Sequence, residues 1–84
     1  MQMCFVNIGL GNFVSAGRIL TVTGLDSAPV RRMLQQLRSH NMLIDATFGR
    51  VTRSVILLDS GHAVLSCMAP DTLSNRLNEK CGAE

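Results

Sequence analysis

With 84 residues the chain has room for a single domain, spanning residues 1–84, and a monomer of this size hides only about 60% of the surface its unfolded chain exposes. Hydrophobic residues still make up 46% and charged residues only 17%, below the roughly 25% usual for soluble domains, so apolar surface is left over for another copy to cover. No run approaches the eighteen or more apolar residues of a membrane span, and MQMCFVNIGL lacks the start of a signal peptide, so the expectation is a cytoplasmic protein without a membrane partner.

The first predicted elements are a short strand at CFVNI (4–8), a turn at GLGN (9–12) and a long strand at FVSAGRILTVTG (13–24), rich in β-branched residues and bulged at Gly17. The period then changes. Asp26 or Ser27 suits a helix cap, Pro29 suits the first turn, and Val30, Met33, Leu34 and Leu37 recur at helical spacing, so an amphipathic helix runs to about Asn41. MLIDAT (42–47) returns to strand and FGR turns. TRSVILLD (52–59) is a strand whose run Val55–Leu58 suggests burial on both faces. Ser60 and Gly61 form a hairpin turn, HAVLSCM (62–68) pairs back, and Pro70 opens a short last helix carrying Leu73 and Leu77. The order ββαβββα predicts an α+β fold, a small antiparallel sheet with one main helix and a short C-terminal one.

Apparent chemical motifs in this sequence do not hold together. Gly9 and Gly11 are not followed by the third glycine and helix of a dinucleotide loop. Asp59, Ser60 and His62 crowd one hairpin and cannot converge as a hydrolase triad. His40 stands at a helix end, where its ring can meet the last carbonyls. Cys4, Cys67 and Cys81 lack metal-ligand or redox spacing and are read as buried or idle free thiols in a reducing compartment. Three phenylalanines, with no tyrosine or tryptophan, make a poor stacking platform for single strands. The expectation is a protein that is not an enzyme, with no cofactor, no metal and no small-molecule substrate.

The arginines are the informative residues. Residues 1–58 hold six arginines against two aspartates, a net +4, whereas residues 59–84 carry a net −2, and seven of the eight basic residues are arginine. The planar guanidinium fork suits phosphate and carboxylate groups. Arg50 follows Phe48 and Gly49 in a turn, and Arg53 opens the next strand, so both are expected to emerge from one edge of the sheet and bind phosphate. Pairing with Asp45 or with acidic groups of neighbouring subunits is the competing use. Arg31, Arg32 and Arg38 lie off the apolar stripe of their helix. Arg18 interrupts the long strand, where it needs an anion or a neighbouring subunit.

VNIGLGNFVSAGRI (6–19), LDSAPVRRML (25–34) and LIDATFGRVTRSVILLDSGHAVLS (43–66) resemble the successive motifs of the RemA family, bacterial regulators of extracellular-matrix and biofilm genes. The similarity extends over about residues 6–77. The family pattern D-A-T-x-G-R-R-T-R is matched at Asp45, Ala46, Thr47, Gly49, Arg50, Thr52 and Arg53, and Val51 stands where the second tandem arginine belongs. The resemblance implies a transcriptional regulator that binds double-stranded DNA. It also implies a subunit similar to LytTR DNA-binding domains and a closed, octamer-like ring, with DNA on the outside held by backbone contacts. On that basis Arg50 and Arg53 are the expected DNA contacts, with Arg18 lining the same surface. A structural homo-oligomer whose arginines meet acidic protein partners is the alternative.

Overall fold

In the computed structural model, which describes residues 4–81, β1 (Phe5–Gly9) and β2 (Asn12–Ser15) form an antiparallel hairpin around a turn with positive φ at Gly9, Leu10 and Gly11. The chain then does not continue as strand. Ala16–Arg18 make one 3₁₀ turn, and β3 (Ile19–Thr23) starts a different sheet. The expected strand 13–24 is thus two strands joined by a corner, and Gly17 sits in that corner rather than in a bulge. The corner lets the β1–β2 hairpin fold over one face of the second sheet, which a straight strand could not do.

That sheet contains β3, β5 (Ser54–Leu58), β6 (Ala63–Ser66) and β4 (Leu43–Asp45), in that spatial order. The pairs β3–β5 and β5–β6 are antiparallel, the latter through the tight turn in which the Gly61 amide donates to the Leu58 carbonyl. The β4–β6 pair is parallel, so the sheet is mixed rather than purely antiparallel. The reason is topological: β6 returns from its hairpin into the place between β4 and β5, and so runs in the direction of β4.

Helix α1 (Ala28–Ser39) begins where the sequence signals it. The Ser27 hydroxyl accepts from the Val30 amide at 3.2 Å, and Pro29 occupies the first turn, where no intrahelical donor is lost. It ends at His40, whose Nδ1 lies 2.7 Å from the Gln36 carbonyl, and Asn41 takes the left-handed conformation. Val30, Leu34 and Leu37 cover Val55, Ala63 and Leu65 on one face of the sheet. The other face carries Ile56 and Val64, which pack with Val6 and Ile8 of the hairpin and Leu73 of α2 (Pro70–Cys81). β5 is therefore covered on both sides, as its apolar run implies. Helix α2 is as long as α1, not short. The side chains of Lys80 and Cys81 lie outside the described residues, and with them the expectation for the Cys81 thiol.

Two buried serines tie the layers together. The Ser66 hydroxyl donates to the Ile8 carbonyl at 2.7 Å, and the Ser54 hydroxyl donates to the Met68 carbonyl at 2.8 Å. Each hydroxyl thereby satisfies a carbonyl that would be costly to bury alone.

Candidate nucleic-acid interface

Because β6 lies between β4 and β5, the chain must cross the end of β6 to pass from one to the other. Residues 46–53 make that crossing as an arch. One foot is pinned by the Ala46 amide to the Leu65 carbonyl at 3.1 Å, and the other by the Arg53 amide to the Ser66 carbonyl at 2.9 Å. Both acceptors belong to the strand being bridged.

Side chains brace the arch from within. Asp45 Oδ1 accepts from the Thr47 hydroxyl at 2.6 Å and from the Thr47 amide at 2.9 Å, an Asx turn that draws Thr47 under the loop, where it is only 2% exposed. The crown is a tight turn in which the Arg50 amide donates to the Thr47 carbonyl at 3.0 Å. Its central residues, Phe48 and Gly49, have φ of 54° and 82°, the pattern of a type I′ turn. Gly49 adopts this freely. Phe48 does not, since a side chain in the left-handed region costs roughly 1–2 kcal/mol. The matched family positions therefore divide by role: Asp45, Thr47 and Gly49 build the arch, and Arg50 and Arg53 are what it displays.

Arg50 and Arg53 are both exposed, and among the described residues neither has an acidic partner or a hydrogen-bond acceptor for its guanidinium. The competing use of Arg50 or Arg53, pairing with Asp45, is not made among the described residues; Asp45 Oδ1 accepts from Thr47 instead. Phe48 is 73% exposed and Val51 79%.

Arg18 is not brought to the arch. It ends the 3₁₀ turn next to Asp59, to which its Nη1 donates at 3.1 Å. Asp59 follows the C-terminal end of β5, whereas Arg53 precedes its start, so six residues of extended chain, roughly 20 Å, separate the two positions. Arg18 is therefore not an unpaired charge within a sheet, and in this chain it stands at the opposite end of β5 from Arg53. It lines instead the rim of an open apolar cavity of about 360 Å³ walled by Phe13, Val14, Ile44, Leu58 and Val64.

The Asp45 carboxyl is held below its ordinary value of 3.8 by the Thr47 hydroxyl first and the Thr47 amide second, with Arg38 adding a weaker attraction against some desolvation. A depressed folded value stabilises the fold fully above the unfolded value and loses that contribution as pH falls through the folded one. Thermal denaturation followed from about pH 6 to about pH 2 should therefore show acid destabilisation that is smaller in Asp45→Asn than in the parent. Equal acid losses in the two proteins would show that the Asx turn does not contribute.

The chain is an α+β fold that displays two exposed arginines on a braced loop, and no helix among the described residues is long and apolar enough to cross a membrane. The chain belongs to the RemA-like family, described as extracellular matrix regulatory protein A-like, whose model matches residues 5–77. It is also similar to proteins of Bacillus cytotoxicus, Bacillus mycoides and Bacillus cereus, each carrying the name "Putative regulatory protein". Each is 54% identical over 80 residues, which cover 95% of this chain and 92% of the relative.

Proposed function

We propose that this protein is a DNA-binding transcriptional regulator without enzymatic activity. Its subunits close into a ring that holds double-stranded DNA on its outer surface in the cytoplasm. A regulatory role is supported by the family and by the names of the relatives. DNA as the partner is supported chiefly by one observation: Arg50 and Arg53 stand exposed on the arch with no acidic partner among the described residues, while Asp45, the nearest carboxylate in sequence to Arg50, accepts from Thr47 and Asp59, the nearest to Arg53, pairs with Arg18. Such guanidiniums neutralise phosphates, position the duplex and carry little base information, so preference among sites follows DNA shape and bendability. The control of extracellular-matrix and biofilm genes rests on the family resemblance.

Assembly is supported by the apolar surface. Leu10, Phe13, Leu20 and Ile44 are exposed large hydrophobic side chains, and Phe13 and Ile44 also wall the open cavity that Arg18 borders. A second copy is the partner that fits them, and this favours a subunit contact over a DNA contact for Arg18 and its pair with Asp59. The unpaired arginines alone would also serve an acidic protein partner.

The test is binding of a duplex measured across a salt series, with oligomer mass followed by light scattering. The expected result is an oligomer at micromolar concentration and log affinity that falls with log salt by about 0.9 for each phosphate neutralised. A monomer mass removes the ring, and duplex binding absent even at low salt transfers the arginines to acidic proteins.

A further inference from the structure

We propose that Phe48 is a wedge that enters the minor groove and unstacks a base step while Arg50, two residues away, holds the adjacent phosphate. This rests on the DNA-binding reading above and adds to it a second kind of contact, apolar and directed at the bases. Three observations carry it. Phe48 occupies the first central position of a type I′ turn, where glycine, asparagine or aspartate would sit without strain, and its φ is 54°. The ring is 73% exposed and belongs to neither hydrophobic cluster of the fold, so the chain gains no packing in return. The turn that carries it is fixed at both feet and by Asp45 and Thr47, so the ring is presented on a rigid mount rather than on a loose loop.

The bonds of the arch hold the backbone in this conformation, and the exposed ring is left available to a partner outside the chain. Another copy of the chain is the less suitable partner, because Phe48 does not line the apolar cavity beside Phe13 and Ile44 and shares its turn with an unpaired arginine. A duplex satisfies both neighbours at once. Backbone phosphates border the minor groove, and apolar side chains inserted there part the bases and kink the helix. The easiest steps to open are pyrimidine–purine steps such as TA. Phe48 would in this way contribute to the choice of site, a task that phosphate contacts cannot perform.

The decisive variants are Phe48→Asn, which relieves the backbone, and Phe48→Trp, which keeps an aromatic ring. The probe is a short A·T-rich duplex with TA steps, carrying 2-aminopurine in place of adenine and dyes at its two ends. The parent should raise 2-aminopurine fluorescence and bring the ends closer. Phe48→Asn should keep or raise the melting temperature, keep the oligomer mass, lose both optical signals and bind on the order of tenfold more weakly. Its plot of log affinity against log salt should run parallel to the parent's, since no phosphate contact is removed. Phe48→Trp should retain the signals. Binding by the parent without either signal, and with Phe48→Asn binding equally well, overturns the wedge and leaves DNA binding standing. A smaller oligomer in Phe48→Asn assigns the ring to a subunit contact and also overturns it. A parent that binds no duplex removes the DNA-binding reading and the wedge together.

Discussion

Arg50→Ala is expected to weaken duplex binding by a similar factor on every sequence while leaving the oligomer intact. The side chain is exposed and has no partner among the described residues, so its removal breaks nothing inside the subunit. The turn itself is held by the Arg50 amide, which alanine keeps. On the proposed reading, what is lost is one phosphate contact for each subunit that touches the duplex. Each such loss should lower affinity on the order of tenfold near 0.1 M salt and make the salt slope shallower by about 0.9. Because phosphate contacts carry no base information, ratios of affinity between sequences should be preserved. Unchanged affinity and slope in an intact oligomer would remove Arg50 from the interface and leave Arg53 to carry it.

The helices and the hairpins could be read from the sequence because their signals are local. Ser27, Pro29 and the spacing of Val30, Leu34 and Leu37 each act within one or two turns, and the hairpin was read at Ser60–Gly61, although its central turn residues are Asp59 and Ser60, with the Gly61 amide bonded to the Leu58 carbonyl at φ 93°. The division of 13–24 could not be read, because β-branched residues favour extended backbone on either side of a corner and do not say which sheet they join. The parallel pairing of β4 was hidden for a similar reason. A three-residue strand has too little pattern to choose its neighbour, and the choice is made by β6 returning between β4 and β5. Arg50 and Arg53 were legible as a pair beside a glycine. The position of Arg18 was not, since it depends on Asp59, forty-one residues away, and on the 3₁₀ turn. Thr47 belongs to a recognisable pattern, yet its burial beneath the arch follows only from the bonds to Asp45. Strain at Phe48 was likewise invisible, because the residue before a glycine gives no sign that both lie in the left-handed region.

Val51→Arg should strengthen duplex binding, and the gain should depend steeply on salt. Val51 stands next to Arg50 near the crown of the arch and is 79% exposed, so a guanidinium placed there stays in water and the desolvation cost of a buried charge does not arise. Loss of an exposed valine side chain removes little packing, and stability should change by no more than about 0.5 kcal/mol. The substitution restores the tandem arginine of the family pattern and brings a second cation within reach of the next phosphate. Every additional phosphate neutralised steepens log affinity against log salt by about 0.9, so its benefit shrinks roughly threefold to fourfold between 50 and 200 mM salt. Several subunits touching one duplex multiply that factor, which is why a single substitution can have a large effect in a ring. The measurement is a pair of salt titrations on one duplex, parent against Val51→Arg, with oligomer mass confirmed in both. The expected lines diverge toward low salt, with the variant above. Parallel lines without a gain in affinity, from an intact oligomer, would place the arch away from the DNA and return Arg50 and Arg53 to an acidic protein partner or a neighbouring subunit.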